Sequence, residues 1–345
     1  MDDYTRPKKI LIVRTDRLGD VILSTPVIKN VRLAYPEASI TFMCRPYTKD
    51  VLVGNPYLDK VIVYDKEGAH HGLMGSIRFT LQLKRENFDW ALILHPTTRA
   101  HVITFFAGIR LRIGWDRKNS WLLTRRIPHT KHEGLRHESD YTLDIIRALG
   151  IAIVDTELYF PVSPDDEHQV ETLLEEIGIR RGQEFIVIHP SASCPSKRWP
   201  SEHFVQLART LRNETRLAII VVASGPHDQS AEALVTQKLA LDLRGRLNVA
   251  QLGALLKRAT IFISNDSGPV HVAAALHTPV ISMFGRSDPG LSPRRWRPIG
   301  ESAFYFHKDV HCNVCAAHGC TKSFACLAAI SPEEVARKAM EIIYG

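Results

Sequence analysis

Ser264–Pro289 carries Asp266, Ser267, Gly268 and His271 in the order D-S-G-x-x-H, between the apolar runs Ile261–Ser264 and Val280–Phe284. Short apolar runs bounded by polar turns read as buried parallel strands. Pro269 suits the first position of a helix between them. Asp-Ser-Gly then lies where a strand ends and a helix begins, and free N–H groups with the positive end of the helix dipole favour an anion there. Gly268 lets backbone approach a ligand closely, and Ser267 can cap the helix or donate to a ligand oxygen. Asp266 is a carboxylate, better suited to a sugar or ribose hydroxyl than to phosphate. His271 falls in the first helical turn. An ordinary capped βαβ unit would carry the same letters, so the weight rests on what accompanies them.

Three more loops follow predicted strands in the same half. His189–Trp199 (HPSASCPSKRW) offers the Ser191 and Ser193 hydroxyls and the Lys197 ammonium for phosphate oxygens. Gly225–Asp228 and the Gly245–Leu247 turn follow the next two strands. Lys197 alone would read as a solvated surface charge; beside a strand-end Ser-Ala-Ser it reads as a phosphate contact. Four loops converging on one sheet edge mark the ligand side of an open α/β sheet. Near the N-terminus, the strand Lys9–Arg14 runs into Thr15–Asp20 and then a helix over about 21–35, without a G-x-G-x-x-G fingerprint. Asp20 is either a favourable first-turn carboxylate, contributing under about 1 kcal/mol, or a general base.

Positioning these groups takes a repeated strand–helix pattern. Further strands are predicted at 40–44, 61–64 and 90–94, and helices near 49–53, 76–86, 100–107 and 139–149. Residues 114–137 read as irregular, basic surface loops. After the two-proline stretch 158–164 the alternation resumes with helices at 165–177, 201–212, 228–239, 248–257 and 332–344, and strands at 185–189, 217–223 and 241–244. The expected fold is α/β, two facing Rossmann-like doubly wound parallel sheets with a central cleft. Its domains are expected at 1–158 and 165–330, with 331–345 a helix expected to cross back to the first domain.

At 345 residues, 45% hydrophobic and 23% charged, the chain is soluble and globular, with no run long enough to span a bilayer. The first residues, MDDYTRPKK, lack a signal-peptide core, which points to the cytoplasm. The net charge of +7 is uneven: residues 1–155 hold 24 Lys and Arg against 17 Asp and Glu, while the remainder balances at 20 and 20. The first half is therefore the better candidate to meet an anionic partner. A nucleic-acid-binding protein is the alternative of a different class. It is disfavoured because the anion-ready loops line a cleft and no aromatic-rich single-strand platform is present.

VRTDRLGDVILSTPVI, PSKRWP and SNDSGPVHVAAALHTPVISMFG, in that order, resemble the lipopolysaccharide heptosyltransferases of glycosyltransferase family 9, and the similarity runs over nearly the whole chain. The resemblance implies the GT-B fold, with 1–158 the acceptor-binding and 165–330 the nucleotide-sugar-binding domain, and an inverting, ADP-heptose-dependent transferase building the lipopolysaccharide inner core, of type I or II. It implies Asp20 as the base that deprotonates the acceptor hydroxyl. Lys197, Ser191 and Ser193 become diphosphate contacts, and Asp266, Ser267, Gly268 and His271 the donor signature. Asp228 falls near the donor ribose and Leu247 near adenine. The anionic acceptor, with its carboxylates and phosphates, would suit Arg99, Arg117 or Arg125 and place the enzyme at the inner face of the plasma membrane. A protein or different glycan acceptor is the close alternative. A helix N-terminus and Lys197 can stabilise leaving ADP, so no cofactor is required for catalysis.

Cys312, Cys315, Cys320 and Cys326 form a cluster of spacing x2, x4 and x5. In a cytosolic chain such a cluster suggests structural zinc or iron before disulfides. The spacing is not that of a standard zinc ribbon, and a loop of reduced, partly buried thiols is the other reading.

Overall fold

The computed structural model describes residues 6–312, 315 and 317–345, and the chain folds as two compact units. The first comprises residues up to 132 together with 138–161; the second comprises 133–137 and 162–345. The division at 161/162 falls within the two-proline stretch.

In the first unit, β1 (Lys9–Val13), α1 (Leu18–Ile22), α2 (Thr25–Ala34), β2 (Ser39–Cys44), β3 (Lys60–Val63) and α3 (Gly72–Arg85) are followed by β4 (Trp90–Ile93), α4 (Thr98–Phe106), β5 (Leu111–Trp115), β6 (Arg125–Ile127) and α5 (Glu138–Arg147). The strands are parallel in the order β3-β2-β1-β4-β5-β6. The order reverses between β1 and β4, and loops leaving the carboxyl ends of those two strands flank a natural crevice. Apolar residues of β1 and β4 are buried on both faces, as expected where helices cover a parallel sheet. Phe79 and Leu83 of α3 and Ala100 and Ile103 of α4 share one core with Leu11, Val13 and Ile93.

Two expectations fail here. The single helix expected over 21–35 is broken, because Pro26 sits in the first turn of α2 and cannot continue the α1 hydrogen-bond ladder. The stretch expected as irregular surface loops holds the end of β5 and all of β6, and Trp115 and Lys131 within it are buried. The short edge strand β6, Arg-Arg-Ile, offers no apolar run to detect.

The second unit contains α6 (Pro164–Glu176), β7 (Phe185–His189), α7 (Ser201–Thr215), β8 (Ala218–Val221), α8 (Gln229–Thr236), β9 (Leu241–Asp242), α9 (Val249–Arg258), β10 (Ile261–Asn265), α10 (Pro269–Ala275), β11 (Val280–Phe284), α11 (Pro293–Trp296), β12 (Ala303–His307), α12 (Ala325–Ala328) and α13 (Pro332–Tyr344). Its parallel sheet runs β12-β11-β10-β7-β8-β9, the first unit's order repeated, with the reversal between β7 and β10. Val335, Ala336 and Ala339 of α13 are buried in the second unit's own core with Phe204, Leu207 and Leu211 of α7, so its apolar face is used there. Among the described residues no helix is long and apolar enough to cross a membrane.

Candidate active site

In the first unit the chemistry gathers at the carboxyl end of β1. Arg14, the next residue, is 1% exposed and cannot reach water, so its guanidinium is satisfied by carboxylates. Its Nε donates to Asp16 at 2.8 Å, and Nη2 donates to Asp20 at 2.6 Å and to Glu138 at 3.0 Å. Lys131, stacked 4.9 Å over the Trp115 ring, donates to the same Glu138 oxygen at 2.7 Å. Burial works against the Arg14 charge, but Asp16, Asp20 and Glu138 more than offset it and raise its pKa above the ordinary value. Burial, then the neighbouring Asp16 carboxylate, lift the Asp20 carboxyl to about 6 against the pull of Arg14. Burial likewise raises Asp16. His95, just beyond β4, lies 3.4 Å from Asp16; burial and Arg14 push it down to about 3, so it faces the carboxylates as a neutral imidazole.

Asp20 is thus a carboxylate fixed in direction by Arg14 and made more basic than usual, which is what a general base near neutral pH needs. Of the three arginines expected to meet the acceptor, Arg99 lies in the first turn of α4 and lines a cavity of about 230 Å³ with Thr15, Tyr64 and Lys66. Arg117 is exposed in the loop after β5, and Arg125 is exposed on β6, beside Ile113 of β5. These two are not among the residues lining that cavity.

In the second unit, Asp266 follows β10 and is 4% exposed. One of its oxygens takes both Lys197, at 3.0 Å, and Arg286, at 2.7 Å. This carboxylate therefore anchors two cations, with one positive charge in excess, rather than standing free for a hydroxyl. Ser267 does not cap α10; its Oγ lies 3.0 Å from Ser264 Oγ and 3.3 Å from His189 Nδ1. Gly268 directly precedes α10. His271 is buried, its Nδ1 has no hydrogen-bond partner among the described residues, and burial pushes it down to about 3.

Ser191 is buried and donates to Asp228 at 2.6 Å, whereas Ser193 is exposed. Asp228 also caps α8 by accepting from Ser230 N–H at 3.0 Å. Burial alone would raise Asp228, but the hydrogen bonds from Ser191 and Ser230 hold it below the usual carboxylate range. Leu247 is half-buried in its turn. Gly245 there adopts φ +66°, and a Cβ on it would strike Pro226 at 2.6 Å, so the two loops pack closely.

Arg14, Glu138, Lys131 and Arg286 were not among the sequence candidates. Nor was Asn265, which holds the phosphate-type loop by accepting from Trp199 N–H at 2.9 Å and donating to the Pro190 carbonyl at 2.6 Å. A charged residue at the end of a buried strand was the available signal for Arg14.

Cys312, Cys315, Cys320 and Cys326 do converge, lining a cavity of about 290 Å³ with Arg286 and Ser196. All are free thiols, and among the described residues no three His, Cys, Asp or Glu are arranged to hold a metal ion. The same segment shoulders the Lys197 turn, with His318 3.4 Å from Ser196, and Gly285 just beyond β11 also lies close, since a Cβ on it would strike the Ser196 carbonyl at 2.7 Å.

Residues 76–325 match the sequence profile of glycosyltransferase family 9 (heptosyltransferase). The chain belongs to that family. It is 26% identical to lipopolysaccharide heptosyltransferase 3 of Escherichia coli K12, over 92% of this chain and 93% of that protein. Its fold is shared with a glycosyl transferase family 9 structure from Veillonella parvula, with a TM-score of 0.85 and 23% identity, covering 99% of this chain and 98% of that one. It is also shared with the E. coli heptosyltransferase WaaC with ADP-2-deoxy-2-fluoro heptose, with a TM-score of 0.73 and 19% identity, covering 96% and 99%. This family 9 glycosyltransferase thus has the two Rossmann-like units of its relatives.

Proposed function

We propose that this glycosyltransferase moves heptose from ADP-heptose to a hydroxyl of the lipopolysaccharide inner core, with inversion at the anomeric carbon. The single observation that carries the mechanism is Asp20, oriented by buried Arg14 and lifted to about 6 by burial and Asp16. The acceptor hydroxyl gives its proton to Asp20 as its oxygen bonds to the anomeric carbon. The bond from that carbon to the ADP oxygen breaks on the opposite face. Lys197 and Arg286 balance the charge growing on the diphosphate, and oriented cations at such a point lower the barrier. His271, neutral and with an unpartnered Nδ1, is available to a donor hydroxyl or phosphate oxygen.

The first unit serves as acceptor domain, with Arg99 and Lys66 beside the cavity near Thr15 meeting anionic groups; the second serves as donor domain, with Ser193, Asp228 and Leu247 on its nucleotide side. The similarity to lipopolysaccharide heptosyltransferases supports lipopolysaccharide as acceptor, and the cytoplasmic side of the inner membrane is where such an acceptor and a nucleotide sugar meet. The test is ADP release and mass-resolved product with ADP-heptose and inner-core acceptors carrying no, one or two heptoses. Transfer to one of them is expected. ADP-heptose left unconsumed with all three, while another sugar nucleotide is consumed, overturns the proposal.

A further inference from the structure

Helix α3 is apolar on two opposite sides. Phe79 and Leu83 face inward and are buried. At helical spacing on the other side, Leu73, Ile77 and Leu81 are 77%, 43% and 53% exposed, and Met74 beside them is 74% exposed. The three basic residues of the helix, Arg78, Lys84 and Arg85, are exposed around this stripe, and none has a carboxylate partner among the described residues. No acidic residue occurs in α3. Phe106, on the packed neighbour α4, is 63% exposed and adds to the same kind of surface. A helix apolar all round is normally covered on both sides, and an exposed contiguous apolar patch rimmed by polar residues marks an interaction site.

We propose that the outward face of α3 docks on an anionic lipid bilayer, lying in the interface with its leucine stripe among the acyl chains. The charge pattern selects this occupant. An apolar stripe flanked by Lys and Arg, with no acidic group, matches the interface of an anionic leaflet, since the long cationic side chains reach the headgroups while the stripe is buried. The protein's whole charge excess of +7 lies in the half of the chain that contains this helix. Placement agrees as well. A helix that follows a parallel strand starts at the carboxyl edge of its sheet, so Leu73 and Met74 begin at the edge that carries Asp20. The cavity lined by Thr15, Lys66 and Arg99 opens at that same edge. A saccharide anchored in the bilayer would be presented there, and this last step rests on the proposed lipid-linked acceptor.

The experiment is co-sedimentation of the full chain with vesicles, phosphatidylglycerol mixed with phosphatidylethanolamine against phosphatidylcholine alone. Binding to the anionic vesicles that weakens with salt is expected. The triple variant Leu73→Ser, Ile77→Ser, Leu81→Ser should lose about tenfold or more in partitioning, with an unchanged melting temperature because these side chains are exposed. Leu33→Ser with Val154→Ser, at other exposed apolar sites, should bind as the wild type does. Wild-type protein remaining in the supernatant, or a triple variant that binds fully, overturns the proposal. So does a wild-type dimer that the triple variant converts to monomer with no change in vesicle binding. Vesicle binding through α3 by a protein that transfers no heptose to any core acceptor would sink the functional reading and leave this one standing.

Discussion

Asp20→Asn separates what Asp20 does for the reaction from what it costs the fold. Its carboxyl stands at about 6 instead of the ordinary 3.8, because burial and Asp16 outweigh Arg14. The folded state therefore prefers the protonated form. That preference stabilises the fold below pH 3.8 and is lost as pH rises through 6, so at pH 8 an ionised Asp20 costs the fold about 3 kcal/mol, at about 1.4 kcal/mol per pH unit. At pH 5 the cost has fallen to roughly half of that. Asparagine keeps the shape and can still accept from Arg14, whose charge remains paired with Asp16 and Glu138. The variant should thus be more stable than wild type at pH 8 by about 1–3 kcal/mol, with the gain shrinking towards pH 5.

For a unit of this size that gain raises the melting temperature by about 2–4 °C per kcal/mol. Turnover should fall by about two to four decades with ADP-heptose affinity little changed, because only the proton acceptor is gone. Differential scanning calorimetry at both pH values and a coupled ADP-release assay read the two effects separately. Equal stability at pH 8 and pH 5 relative to wild type would refute the electrostatic argument, and near-normal turnover would refute the base.

Three more outcomes are expected. Asp16→Asn removes the nearby like charge and should move the acidic limb of the wild-type kcat/KM profile, near pH 6, downward by about one pH unit; an unmoved limb assigns the titration to another group. Lys197→Ala and Arg286→Ala should each weaken ADP binding by about 1.5–3 kcal/mol by calorimetry, the scale of a charge-assisted hydrogen bond, and unchanged affinity in both would remove the diphosphate from Asp266. Burial, with Cys320, Cys315 and Cys312 nearby, raises the Cys326 thiol above its ordinary value, so iodoacetamide at pH 7.5 should alkylate it last of the four; stoichiometric zinc or iron, with all four thiols protected, would refute the free-thiol reading.

The parts of the candidate site that the sequence alone suggests are those encoded locally. The D-S-G junction, the Lys197 loop and Asp20 each sit beside an apolar strand of uninterrupted pattern, and β11 was bounded to the residue at Val280–Phe284. What was missed is encoded by partners far apart in the chain. Arg14 meets Glu138 across 124 residues and Asp266 meets Arg286 across 20. Nothing in a single sequence distinguishes Lys131, buried over Trp115, from the exposed Lys118 earlier in the same basic stretch. For the last helix the limit is related: an amphipathic pattern shows that one face is buried, but not against what.

The two charge clusters have opposite excesses, and each suits its proposed role. Over Arg14, Lys131, Asp16, Asp20 and Glu138 the carboxylates exceed the cations by one, and neutral His95 does not restore the balance. Glu138 takes hydrogen bonds from both cations, leaving the remaining negative charge to Asp16 and Asp20 on one guanidinium. That crowding makes a proton welcome on Asp20. Around Asp266 the count runs the other way, with two cations on one buried carboxylate. A lone buried Lys or Arg would be costly to hold. Bridged by Asp266, the pair keeps its position without ligand and still presents a net positive charge to a diphosphate. A base needs surplus negative charge and a leaving-group site surplus positive charge. Each excess is held in place by buried opposite charges, so little reorganisation remains for the moment of transfer.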